Sequence, residues 1–166
     1  MSQKSRLARQ VTLDEAWSSS EHSEICCLIY ATQNGWKLPI LFEEMGVPYD
    51  WALVDFEKGE QRSERFLSIN PNGRIPALID RARGVTVAES GAILEYSAAR
   101  FASPLLPPAH EDLQLHLQTK QWLHWQVSAL GPSMGQAMYF QRIAKVRGQN
   151  DPFAICLLYT SDAADE

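Results

Sequence analysis

The stretch IPALIDRARGVTVAES, residues 75–90, decides the fold of this chain. Ile75-Pro76 heads an apolar run, Arg81-Ala82-Arg83-Gly84 is a turn cluster, and Val85-Thr86-Val87 returns as a second, β-branched run. From Ser90 to Phe101 the apolar residues fall at helical spacing, with Ile93, Leu94, Tyr96 and Ala98 turned toward a core. The segment therefore reads as a β-hairpin feeding a helix. Pro76 has no N–H to give to a ladder, so it belongs at the first residue of a strand or on an edge, and the backbone of Ile75 is left for a ligand. At the other end, the unbonded first-turn amides of a helix and its dipole favour an anion beside Glu89-Ser90.

Working outward, residues 25–30 (ICCLIY) form a continuous apolar run of strand length, as a strand buried on both faces requires. The turn cluster Ala31-Thr32-Gln33-Asn34-Gly35 leads into residues 36–45, where Leu38, Leu41, Phe42 and Met45 repeat at helical spacing, and Gly46-Val47-Pro48 closes that helix. Residues 49–56 read as a second strand, residues 63–67 as a short helix with Ser63 as its N-cap, and Asn70-Pro71-Asn72-Gly73 as a turn running into Ile75. Punctuation and periodicity give the order βαβαββα. Strand, polar turn and helix is the geometry that sets the side chains of Thr32 and Asn34 over a helix N-terminus.

The chain has 166 residues, enough for one domain and part of another, with 45% hydrophobic and 21% charged residues and no apolar run long enough to span a bilayer. A net charge of −5, with no dense basic patch, argues against a nucleic-acid partner, and neither a membrane span nor a signal peptide is visible, so a cytoplasmic location is expected. Cys26 and Cys27 are adjacent in the first strand, where successive side chains point to opposite faces; they read as small buried hydrophobes rather than as a disulfide. No C-x-x-C and no Cys/His ligand spacing occurs, so no metal is expected. Residues 1–23 read as a polar extension, in which Thr12-Leu13-Asp14-Glu15 could cap a short helix through Trp17.

With these residues in hand, the chain over about 25–155 resembles the glutathione transferases, whose thioredoxin-like domain carries a cis-proline after a hydrophobic residue and an acidic-Ser pair downstream. That likeness implies glutathione as the substrate, with Arg74, Ile75 and Pro76 along the cysteinyl backbone and Glu89-Ser90 at the γ-glutamyl end. The strings ATQNGWK, FLSINPNGRIPALID and WLHWQVSALGPSMGQ are similar to the nu-class and fungal-prion-like branch, whose turn reads T-P-N-G. Gln33 stands here in place of that proline, and Pro39 falls one turn into the helix. The resemblance makes Thr32 and Asn34 the donors that steady the glutathione thiolate, with Tyr30 a structural aromatic at the end of the strand. It implies a transferase for a small electrophile, or a disulfide-bond reductase in which glutathione supplies the thiols. A member of the fungal branch is a non-catalytic regulator, so an interaction module is the alternative; a glutaredoxin-type domain is disfavoured by the absence of C-x-x-C or C-x-x-S.

The expected organisation is a polar extension (1–23), a thioredoxin-like domain (24–102), a proline-rich linker (103–110) and the first helices of an incomplete all-α domain (111–155). In the last, Leu113, Leu117, Trp122, Trp125 and Leu130 form an apolar face and Gly131-Pro132 should kink or interrupt the helix. Residues 156–166, CLLYTSDAADE, are similar to a translated sequencing adapter, so the likeness ends at Ile155. The expectation is a fragment, poorly active as it stands, of a protein that forms a homodimer at full length.

Overall fold

A computed structural model describes residues 7–18, 23–144 and 148. They divide into two units, Met1–Glu111 and Asp112–Glu166. The first holds one mixed sheet of five strands, β1 (Ala8–Val11), β2 (Ile25–Ile29), β3 (Tyr49–Leu53), β4 (Ala77–Asp80) and β5 (Val85–Ala88), in the order β1-β3-β2-β4-β5. β1 and β2 run parallel to β3, whereas β4 is antiparallel to both β2 and β5. Its α-helices are α1 (Gln33–Met45), α2 (Glu64–Leu67) and α3 (Ser90–Arg100). This is the thioredoxin-like arrangement that residues 75–90 announce, and a helical segment follows it.

β2 is buried at all five positions, and its alternation builds two cores. Ile25, Cys27 and Ile29 pack with Leu38 and Phe42 of α1 and Ile93 of α3, while Cys26 and Leu28 pack with Val11, Ala52, Val54 and Phe66 of α2. The two cysteines thus lie on opposite faces, both reduced. Burial pushes the Cys26 thiol up to about 12 and drives Cys27 well above the usual thiol range.

Residues expected to belong to a polar extension fold onto this unit. β1 adds an edge strand beside β3, and a 3-10 turn at Glu15–Trp17 buries Ala16 completely. Thr12 and Glu15 form a reciprocal cap: the Thr12 amide and hydroxyl each donate to Glu15 Oε2 at 2.7 Å, and the Glu15 amide donates to Thr12 Oγ1 at 3.2 Å. β1 is hard to see in the sequence because only Val11 of its four residues is buried. β3 is shorter than expected because Asp55 leaves the ladder for a side-chain turn, Oδ1 accepting from the amides of Glu57 at 2.9 Å and Lys58 at 3.3 Å.

Where β2 begins and β4 ends, two fully buried carboxylates tie the sheet together. Asp50 accepts from Arg9 Nε at 3.0 Å, from Arg81 Nη1 at 2.7 Å and from the Ser23 amide at 3.1 Å. Asp80 accepts from the Tyr96 hydroxyl at 2.7 Å, Arg100 Nε at 3.1 Å and the Arg83 amide at 3.0 Å. Burial alone raises a carboxyl pKa, but at Asp50 the Arg9 and Arg81 hydrogen bonds outweigh it, and at Asp80 those from Tyr96, the Arg83 amide and Arg100 do so. Both carboxyls are held below the ordinary value.

The second unit is a run of helix. α4 (Leu113–Trp125) is capped by Asp112, whose Oδ1 accepts from the Leu115 amide at 2.9 Å, and α5 (Gly131–Met138) continues after a π-helical turn at Gln126–Leu130. The interruption expected at Gly131-Pro132 takes the form of that change of register. Gly131 donates to Gln126 O and the backbone stays right-handed helical at both joins, so the wide turn accommodates a proline that has no N–H for residue i−4. No residue of α4 is buried, and Trp122, expected on an apolar face, is 68% exposed. The reading of 151–155 as the opening of a further helix, and of 156–166 as an adapter-derived tail, falls outside the described residues.

Candidate functional site

The sheet register brings the expected site residues to one end. Leu28 of β2 pairs with Ala77 of β4, which pairs with Ala88 of β5, so the three form one rung. Just beyond that rung lie Thr32 at the start of α1, Pro76 before β4 and Glu89-Ser90 at the start of α3. α1 and α3 pack against the same core, and their N-termini meet at this end.

At the first of these starts Thr32, in extended conformation, is the N-cap, and its Oγ1 accepts from the Gly35 amide at 3.1 Å. A hydroxyl that accepts one bond keeps its own proton to donate. Gly35 is required here because a Cβ would run into the Tyr30 carbonyl oxygen, so the first turn of α1 is laid against the end of β2. Asn34, two residues further along, is exposed and is not the cap. Tyr30 stacks on Phe56 with centroids 4.6 Å apart, as a structural aromatic does.

At the second, the Ile75-Pro76 bond is cis. The ladder between β2 and β4 stops at Leu28–Ala77, so Ile75 lies past its last rung. The approach is held by Asn70, which is 2% exposed: its Nδ2 donates to Arg74 O at 2.7 Å and its Oδ1 accepts from the Asn72 amide at 3.1 Å. The Arg74 side chain is exposed. Asn70 was legible only as part of a turn cluster, although an Asn opening N-P-N-G is the residue whose side chain can brace the following chain.

At the third, Glu89 has φ 69° and ψ 118°, a region that side-chain-bearing residues seldom occupy. α1, α2 and α4 each have a side-chain cap, from Thr32, Ser63 and Asp112 respectively; α3 has none. Its first backbone bond runs from the Ile93 amide to Glu89 O, so the amides of Ser90, Gly91 and Ala92 have no acceptor within the helix. The Ser90 hydroxyl receives a bond from Lys37 Nζ of α1 at 3.2 Å. Burial lowers the Lys37 pKa. No sequence signal marked Lys37, since a lysine on an amphipathic helix ordinarily faces solvent.

This end of the sheet therefore offers hydrogen-bond donors at two helix starts, the Ile75 backbone past the last rung between them and an exposed carboxylate at Glu89. Among the described residues, no group of three or more His, Cys, Asp or Glu is placed to hold a metal ion. The two described thiols, fully buried within the sheet, are protonated and out of reach. The arrangement offers partners to a zwitterionic peptide and to a thiolate; among the described residues, neither cysteine is placed there as a nucleophile.

Residues 29–99 match the family model described as glutathione S-transferase, N-terminal domain. The transcriptional regulator URE2 of Saccharomyces cerevisiae is 39% identical over 113 residues, a match that covers 65% of this chain and 31% of that protein. The chain thus spans about a third of the length of the curated relatives it matches. Among solved structures, Ure2p in complex with glutathione superposes with a TM-score of 0.75 at 31% identity, over 85% of this chain and 64% of that one. A glutathione transferase family member from Pseudomonas fluorescens with two glutathione bound superposes with a TM-score of 0.76 at 32% identity, over 87% and 63% respectively. Residues 29–99 thus correspond to a glutathione S-transferase N-terminal domain, and the curated relatives named here are Ure2-like.

Proposed function

We propose that the chain binds glutathione across this end of the sheet and uses the bound thiol on a second substrate. The carrying observation is the Leu28–Ala77–Ala88 rung, which gathers the Thr32 cap, the Ile75 edge and the uncapped start of α3 within one site. Ile75, at the bend before the cis Pro76 and beside Arg74, takes the cysteinyl backbone; Glu89 and Ser90 take the γ-glutamyl ammonium and carboxylate. That places the cysteine sulfur near the start of α1. A free thiol with pKa about 8.5 is mostly protonated at neutral pH, and the dipole of α1 with a hydroxyl or amide donor favours its thiolate. Thr32 and Asn34 are the donors assigned to that task.

The reaction we assign is disulfide reduction, with transfer to a small electrophile by the same thiolate. The thiolate attacks one sulfur of a disulfide, the S–S bond breaks, and the departing thiolate takes up a proton. A second glutathione thiolate then attacks the glutathione sulfur of the mixed disulfide, releasing the other thiol and oxidised glutathione. Glutathione serves as reductant on this reading because Cys26 and Cys27 are protonated and enclosed. A homodimer in the cytoplasm, where glutathione is kept reduced, is the setting the family likeness supports. The second reading is a regulatory module without turnover, favoured by the description of the S. cerevisiae relative as a transcriptional regulator.

Turnover of a small disulfide with glutathione separates the two. The enzyme reading expects measurable reductase activity that Thr32→Ala or Asn34→Ala lowers by about a hundredfold with little change in glutathione affinity, as loss of a donor to a developing anion does. Retention on immobilised glutathione with no turnover in a full-length version of the protein would favour the module.

A further inference from the structure

Lys37 enters the site from a different helix than the residues it serves. Its ammonium has three donors and no acceptor, so in the 3.2 Å contact the Ser90 hydroxyl must be the acceptor and keeps its own proton for another group. The neighbouring amides of Ser90, Gly91 and Ala92 are likewise donors. The α3 start therefore presents donors backed by a positive charge, beside the exposed carboxylate of Glu89. Donors and a cation on one side with an anion on the other is the complement of an α-amino acid head, carboxylate to the first and ammonium to the second.

We propose that Lys37 is a positioning residue that, through Ser90, selects the α-carboxylate of a γ-glutamyl peptide. The proposal rests on the glutathione reading and adds to it the part of the ligand that Lys37 recognises. Burial lowers the Lys37 pKa, consistent with an ammonium partly withdrawn from water, where its field on a bound anion is less screened. The α1 and α3 starts are bridged by this contact, so Lys37 also fixes the side from which Ser90 can donate.

The test is calorimetry of the whole chain with glutathione and with 4-aminobutyryl-cysteinylglycine, which keeps the amino group and lacks the α-carboxylate. Lys37→Met should weaken glutathione about tenfold, the scale of one charge-assisted hydrogen bond, and leave the analogue within about twofold. Lys37→Arg should recover most of the loss, and Lys37→Met combined with Ser90→Ala should lose less than the product of the two single losses, because the residues act together. Equal weakening of both peptides would make Lys37 a structural tether and overturn the proposal, as would unchanged glutathione affinity in Lys37→Met. If the unsubstituted chain binds neither peptide, the glutathione reading itself fails and takes this assignment with it.

Discussion

Where β2 begins and β4 ends, Asp50 and Asp80 are fully buried and each meets arginine; where β2 ends and β4 begins, Asn34 and Glu89 stand in solvent, and α3 starts with no side-chain cap. Arg81, whose side chain is 5% exposed, bonds Asp50, the Ser23 carbonyl and the Ala16 carbonyl, so the first end closes on itself. At the second end the first amides of α3 have no side-chain cap. Satisfied charge at one end holds the sheet in register, and that register is what sets Thr32, Ile75 and Ser90 side by side at the other. Stability and the proposed binding are thereby assigned to opposite ends of the same strands.

The largest effect expected from this division is at the satisfied end. Asp50→Ala strands Arg81 without its carboxylate and should cost about 3–5 kcal/mol in denaturant unfolding, as breaking a buried pair does, with the affinity of the remaining folded protein for glutathione within twofold. A cost under 1 kcal/mol would show the network to be ornamental. Acid should act on the same end. The folded-state pKa values of Asp50 and Asp80 lie below the ordinary 3.8, so their contribution is fully present above about pH 4 and is lost as pH falls through the depressed values. Unfolding midpoints should therefore be flat near neutrality and drop below about pH 4, less steeply in Asp50→Asn.

At the open end the order reverses. Ser90→Ala should weaken glutathione by about 1–3 kcal/mol in calorimetry while shifting folding stability by under about 0.5 kcal/mol, because the hydroxyl is partly exposed and caps nothing. The smallest effect is at Glu89. Its backbone conformation costs about 1–3 kcal/mol for a residue with a Cβ, and glycine removes that strain while adding about 0.5–1 kcal/mol of chain entropy. Glu89→Gly should leave the melting temperature unchanged or raised and still weaken glutathione; a lowered melting temperature would mean that Glu89 supports the fold and not the ligand.

Most of the first unit was legible because its signals are local. The run ICCLIY, the cluster NPNG, the proline at 76 and the helical spacing after Ser90 each carry a single reading, and together they admit one order of elements. Thr32 was legible as a turn residue ahead of a helix, though its role as cap depended on Gly35 approaching the Tyr30 carbonyl, a contact no spacing reveals. β1 escaped because a four-residue edge strand with one buried side chain has no periodicity to detect. Lys37 escaped for another reason: it acts on Ser90, which the fold and not the chain brings within reach. Asn70 is a local case, since its reach to the nearby Arg74 carbonyl is masked by the turn cluster that contains both. The buried pairs at Asp50 and Asp80 are equally silent in sequence, since a carboxylate in a strand reads as solvent-facing until the arginines that cover it are known.

The account stands most directly on an amide-resolved titration of the whole chain with reduced glutathione, following backbone ¹H–¹⁵N signals. It expects saturable shifts at Thr32, Gly35, Ile75, Ser90 and Gly91, with those of Asp50, Asp80 and Arg81 unmoved. Saturable shifts centred on the Asp50–Arg81 end, or no shift at Ile75 and Ser90 at millimolar glutathione, would contradict it.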